Sequence, residues 1–180
     1  MKRKLMITLA FIVFTTVSFS GCANHQGAAE ASAVISTPDS GDNLPGWKVY
    51  QNKEYHVSFK YPASWTPMAG YLNRLGGNDG WLQIDAAEGT SMDDVTQRDA
   101  YHKHMPYGSN PEIKAVEIQG QEARLILPSS DQAKEMLNQA GLIVKYPKAV
   151  QINKVTYDYF VLWADKACIE RISQTVLFIG

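Results

Sequence analysis

Tyr101-His102-Lys103-His104 places two imidazoles two residues apart, and imidazole pairs are a short segment's most direct route to a divalent metal. On a strand that spacing puts both side chains on one face. On a helix they diverge by about 200°, which is poor geometry for chelation. The pair closes a segment that reads as helix, so the simpler role is a favourable interaction of histidine with the negative helix terminus. A metal would also need ligands from elsewhere, with Asp99, His56 and Glu88 as candidates. His102 and His104 stand as metal candidates without a supporting pattern, and neither a metal nor another cofactor is expected.

Ser129, Ser130 and Asp131 hold a nucleophile and an acid close together, but no G-x-S-x-G elbow and no serine–lysine pair accompanies them. Pro128-Ser129-Ser130-Asp131 reads instead as a strand end followed by a helix cap at Ser130. Asp79 with Asp85, and Asp93 with Asp94, are possible acid/base pairs; the first brackets a turn and a strand, the second opens a helix. The glycine-rich run 76–80 would cradle a phosphate only with a helix N-terminus after it, and here a strand pattern follows, so it reads as a turn. No catalytic residue is assigned, and the chain is not expected to be an enzyme. The aromatics carry a different possibility. Trp47, Trp65, Trp81 and Trp163, with nine tyrosines, could form an exposed face for a polysaccharide, peptide or protein. The expectation favours Trp65, Trp81 and Trp163 in a sheet–helix core, with Tyr157 and Tyr159 on one strand face and Phe160 and Leu162 on the other.

These residues need a scaffold, and residues 46–180 supply it as one domain of ordinary size. Alternating segments at 47–51 and 57–61 read as strands, the second stopped by Pro62. Strand patterns at 71–75 and 81–86 flank the glycine-rich run and predict a hairpin. Ser91 with Asp94 three residues on predicts a helix cap, with the helix running to about 103. A second hairpin is expected at 113–118 and 122–127 about Gln119-Gly120, then a polar helix from Ser130 to about 140. Further strands fall at 142–146, 149–152 and 156–164. Asp165 caps a closing helix in which Ile169, Ile172 and Val176 face the core. Cys168 reads as a core residue of that helix. Many antiparallel strands with inserted helices indicate an α+β fold, mainly antiparallel sheet flanked by helices. With 17 basic against 18 acidic residues there is no concentrated positive face, so nucleic acid is not an expected partner.

Residues 1–21 read as a targeting segment: Lys2, Arg3 and Lys4 precede an apolar run of residues 5–19. That run falls short of the ~20 residues of a bilayer-spanning helix. It ends in Phe19-Ser20-Gly21-Cys22, which resembles the lipobox of bacterial lipoproteins. The resemblance implies a diacylglycerol on the Cys22 thiol and cleavage that leaves Cys22 as the new N-terminus. It places the protein at the cell membrane on the extracytoplasmic face, with the lipid bilayer as partner through its acyl chains. Two such chains anchor durably, since each buried methylene stabilises insertion by roughly 0.8 kcal/mol. Residues 22–45, largely Ala, Ser, Gly, Asn and Asp, read as a flexible linker spanning on the order of 26 Å.

Residues 47–65 read W-K-V-Y-Q-N-K-E-Y-H-V-S-F-K-Y-P-A-S-W, residues 77–86 read G-N-D-G-W-L-Q-I-D-A, and 169–178 close in I-x-x-I-x-x-T-x-x-F. Together these resemble bacterial lipoprotein domains of the PsbP-like class over most of 46–180. The resemblance implies an antiparallel sheet sandwiched between helices and a module that binds partner proteins; an envelope protein or a cell-wall ligand is the expected partner. No functional residue of that class maps onto a motif here. The alternatives are a small lipoprotein enzyme or metal-binding protein using the His102/His104 region, and an accessory or sensor subunit of a membrane complex.

Overall fold

The structure, a computed structural model, describes residues 44–180; the targeting segment 1–21, the acylation candidate Cys22 and the linker as far as residue 43 lie outside the described residues. In chain order the elements are β1 (Trp47–Asn52), β2 (Val57–Pro62), β3 (Thr66–Pro67), β4 (Arg74–Gly77), β5 (Gly80–Ala87), α1 (Met92–Ala100), β6 (Glu112–Ile118) and β7 (Gln121–Leu127). A single 3-10 turn at Lys134–Met136 precedes β8 (Gln139–Ile152), β9 (Val155–Asp165), α2 (Lys166–Ser173) and β10 (Leu177–Phe178). Every pairing is antiparallel, in a seven-stranded sheet ordered β3-β4-β5-β9-β8-β7-β6 and a three-stranded sheet ordered β1-β2-β10.

Alternation along the central strands sorts side chains into two apolar layers. On β9, Phe160, Leu162 and Ala164 enter the larger layer, where they meet Val57, Phe59 and Tyr61 of β2 and Ile169 and Ile172 of α2. Tyr159 and Val161 point the other way, towards Met92, Val95 and Ala100 of α1 and the ring of Tyr107. Helices thus cover both faces of the larger sheet, the α+β arrangement expected.

Several elements follow the sequence reading closely. Ser91 caps α1, its hydroxyl accepting from the Asp94 N–H at 3.1 Å, and Asp165 caps α2, accepting from the Ala167 N–H at 2.8 Å. The β6–β7 hairpin turns on Gln119 and Gly120, both with positive φ as a two-residue hairpin turn requires.

Other elements differ, each for a local reason. No helix starts at Ser130: the following segment buries no side chain in its 3-10 turn, and Leu137 and Asn138 adopt left-handed backbone before β8 begins. A short helix with no apolar face to dock is not stable on propensity alone. Helix α1 stops at Ala100 rather than near 103, because the next positions on its buried face would be the polar Lys103 and His104. The strand expected at 71–75 is β4 at Arg74–Gly77, leaving Tyr71 and Leu72 exposed before it. The glycine-rich turn narrows to Asn78-Asp79 between paired Gly77 and Gly80.

The two strands expected at 142–146 and 149–152 form one 14-residue strand, with a register break between Lys145 and Val150 that accommodates Pro147. Opposite the break β9 has only Asp158, so its facing parity changes there. Tyr157 consequently packs against the larger layer and Tyr159 enters the smaller one, not the shared face expected. Val176 is buried but lies beyond the end of α2, in the turn that leads β10 onto β2. Cys168 is only half-buried; burial raises its thiol pKa, with Asp165 and Asp79 adding to the effect and Arg171 opposing it.

Candidate functional site

The residues singled out for chemistry do not converge. His102 and His104 lie past α1 with their rings 5.0 Å apart, both exposed. Of the supporting ligands, Asp99 is engaged by Tyr107, His56 sits beside Gly180, and Glu88 offers its backbone carbonyl to Arg98. Among the described residues no three His, Cys, Asp or Glu side chains gather as a metal site would require. The Ser129 hydroxyl donates to the Asp131 carboxylate, and the Ser129 N–H donates to the Tyr107 carbonyl at 2.9 Å. Asp131 also accepts from the Ser109 N–H at 3.2 Å, and the hydrogen bonds from Ser109 and Ser129 hold its carboxyl down to about 2. The arrangement fastens the 105–110 loop to the end of β7. Asp79, Asp85, Asp93 and Asp94 are likewise taken up separately, by the Trp65 indole, the Ala86 N–H, Arg124 and Thr90 with Arg98.

A cleft that sequence reasoning did not single out forms where the β4–β5 hairpin meets the start of α2. Its volume is about 260 Å³, and Arg74 lies in it. The guanidinium carbon stands 4.0 Å from the Trp81 ring centroid and 4.5 Å from that of Tyr71, so it is flanked by two aromatic faces. Trp81 is held in place by its indole N–H, which donates to the Leu137 carbonyl at 3.1 Å. Arg74 Nε is buried with no hydrogen-bond partner, and Arg74 makes no ion pair among the described residues. Burial lowers its pKa from the ordinary value, partly offset by Tyr71, yet guanidinium remains a cation at any physiological pH. Asn78, Asn138 and Asp165 complete the polar wall, with Gly76, Gly77 and Gly80 exposing backbone. The sequence signal was present in outline: an arginine between two aromatics beside a glycine-rich turn. That Leu137, Asn138 and Asp165 would arrive there was not visible.

Beneath α1 lies a second polar group inside an apolar layer. Tyr107 is wholly buried and donates its hydroxyl to Asp99 at 2.6 Å, and the Trp163 indole N–H reaches the same oxygen at 3.4 Å. Asp99 stands on the buried face of α1 in phase with Val95 and Thr96, a signal that helical periodicity could have revealed. Burial raises its pKa above the ordinary value, outweighing the hydrogen bonds from Tyr107 and Trp163 and the charges of His102 and Arg98. The folded state therefore holds this proton more tightly than the unfolded chain. Its contribution to stability is largest at low pH and is lost as pH rises from the ordinary value of 3.8 through the folded value. Asp99→Asn, which keeps an oxygen for Tyr107, should flatten that dependence; urea midpoints for both proteins between pH 4 and 7 measure it, and parallel profiles would refute the assignment.

The tryptophans fall largely where the core reading put them. Trp65 and Trp81 are buried, Trp47 and Trp163 are half-buried, and Tyr159 is buried. A second groove, about 510 Å³, runs past Tyr146, Pro147, Lys148 and Phe178 at the β8 register break.

No protein-family model and no curated protein matches the chain. A solved structure to which it is similar is the solution structure of cyanobacterial PsbP (CyanoP) from Synechocystis sp. PCC 6803, at 10% identity over 77% of this chain and 95% of that chain, with a TM-score of 0.43. That similarity carries no residue, ligand or activity across. The α+β assignment rests on this chain's own strand order and helix placement.

Proposed function

We propose that this chain is a binding module rather than an enzyme, and that the Arg74 cleft is its recognition site for an anionic group. The observation that carries the reading is a guanidinium in contact with the rings of both Tyr71 and Trp81 and with no acidic partner among the described residues. Protein arginines in such settings are ordinarily paired, and a concave site with an unpaired, aromatically clamped cation is preorganised for a carboxylate or phosphate oxygen. We further propose that the module is displayed outside a cell membrane on acyl chains at Cys22, with the 22–45 segment as tether. The order of basic residues, apolar run, small residues and cysteine in 2–22 supports this.

Titrating the full-length chain in detergent micelles with acetate and with inorganic phosphate, at constant ionic strength, tests the cleft. A saturable change in tryptophan fluorescence or in the Arg74 Nε–H resonance is expected, abolished in Arg74→Gln and unchanged in Arg171→Gln. A response that is linear in salt, or identical in Arg74→Gln, would overturn it. The anchor is tested by mass spectrometry of the membrane fraction: a diacylglyceryl adduct on Cys22 is expected, and an unmodified thiol there counts against it.

A further inference from the structure

Resting on the reading of Arg74 as an anion site, we infer that the cleft takes a hydroxylated carboxylic acid of single-ring size, a uronic-acid sugar being the representative chemistry. Arg74 fixes where the acid lies. The guanidinium carbon lies against the rings of both Tyr71 and Trp81, and Nε is buried without a partner. The Nη edge is left for a ligand, and a planar carboxylate meets that edge through two parallel hydrogen bonds.

The other polar lining residues fix the rest of the ligand. Asp165 uses one carboxylate oxygen to cap α2 at Ala167, and the other has no hydrogen bond among the described residues. Asn78 and Asn138 line the same cleft, and their side chains make no hydrogen bond among the described residues. A free carboxylate acceptor and free amide donors on the residues that line one cleft suit hydroxyls, which donate and accept at once. A dianionic phosphate would be repelled by Asp165, and an ammonium could satisfy Asp165 but not the amide donors. The cleft's 260 Å³ lies just below the ~300–1,000 Å³ of ordinary ligand pockets, so it admits one ring rather than a chain of them. Met68 and the exposed Leu137 at the rim give the ring apolar cover.

Calorimetric titration of the full-length chain in micelles with glucuronate, glucose, acetate, alanine and inorganic phosphate tests this. Glucuronate should bind about tenfold or more tighter than acetate or glucose, the gain of one or two well-made hydrogen bonds. Arg74→Gln should weaken glucuronate by about 10–100-fold, the loss of a charge-assisted pair. Asp165→Asn, which still caps α2, should weaken glucuronate while leaving acetate equal or tighter. Glucuronate no tighter than acetate overturns the inference and leaves the anion site standing. Tighter binding of phosphate or alanine than of glucuronate overturns it in the same way. If none of the four charged probes binds, the anion site falls together with the inference.

Discussion

Gly141→Ala should destabilise the fold by about 3 kcal/mol, the cost of forcing an atom into a packed core, and lower the melting temperature by roughly 10 °C. A Cβ on Gly141 would stand 2.3 Å from Tyr107 Oη and 3.1 Å from its Cζ. The ring has nowhere to retreat, because Tyr107 is wholly buried and its hydroxyl is held by Asp99. Glycine at this point of β8 is thus the space that lets a tyrosine hydroxyl reach a carboxylate across the sheet face. Tyr107→Phe removes the clashing oxygen, so Gly141→Ala/Tyr107→Phe should be less destabilised than the sum of the two single changes by about 1 kcal/mol or more. Urea denaturation of the four proteins measures the coupling, and strict additivity would show that the contact is not the cause.

Trp65→Ala should cost about 4 kcal/mol, within the range for emptying a buried aromatic site. The ring is completely buried, and its indole N–H donates to Asp79 in the hairpin turn at 2.7 Å. Its edges are met by backbone: a Cβ on Gly77 would lie 2.8 Å from Trp65 Cδ1, and one on Gly80 would lie 2.9 Å from Cζ2. Trp65 therefore fills the space behind the β4–β5 hairpin that carries the cleft wall. Trp65→Phe keeps most of the ring and loses the hydrogen bond, so about 1–2 kcal/mol is expected. Denaturant midpoints separate the two, and near-equal losses would mean that the Asp79 bond, not the ring volume, dominates.

Much of the scaffold was legible because its determinants are local. Ser91 with Asp94, Asp165 before α2, and Gln119-Gly120 between alternating runs each specify a cap or turn through hydrogen bonds spanning a few residues. Where a segment's fate depended on what lay against it, the reading differed from the structure. The residues after Ser130 found no apolar surface and made no helix. The register break opposite Asp158 sent Tyr157 and Tyr159 to different layers, and no strand period within β9 could signal a bulge in its neighbour.

The candidate site divides along the same line. The one-dimensional chain determined an antiparallel α+β domain, its capped helices and hairpins, and a near balance of basic and acidic residues. Tertiary structure alone decided that Arg74 would lie against Tyr71 and Trp81, that Asn138 and Asp165 would line the same cleft, and that Asp99 would be buried against Tyr107. Backbone periodicity and capping act over one or two turns of chain. A cleft wall is assembled from residues more than sixty positions apart, and its charge environment exists only once β5 and β9 have paired.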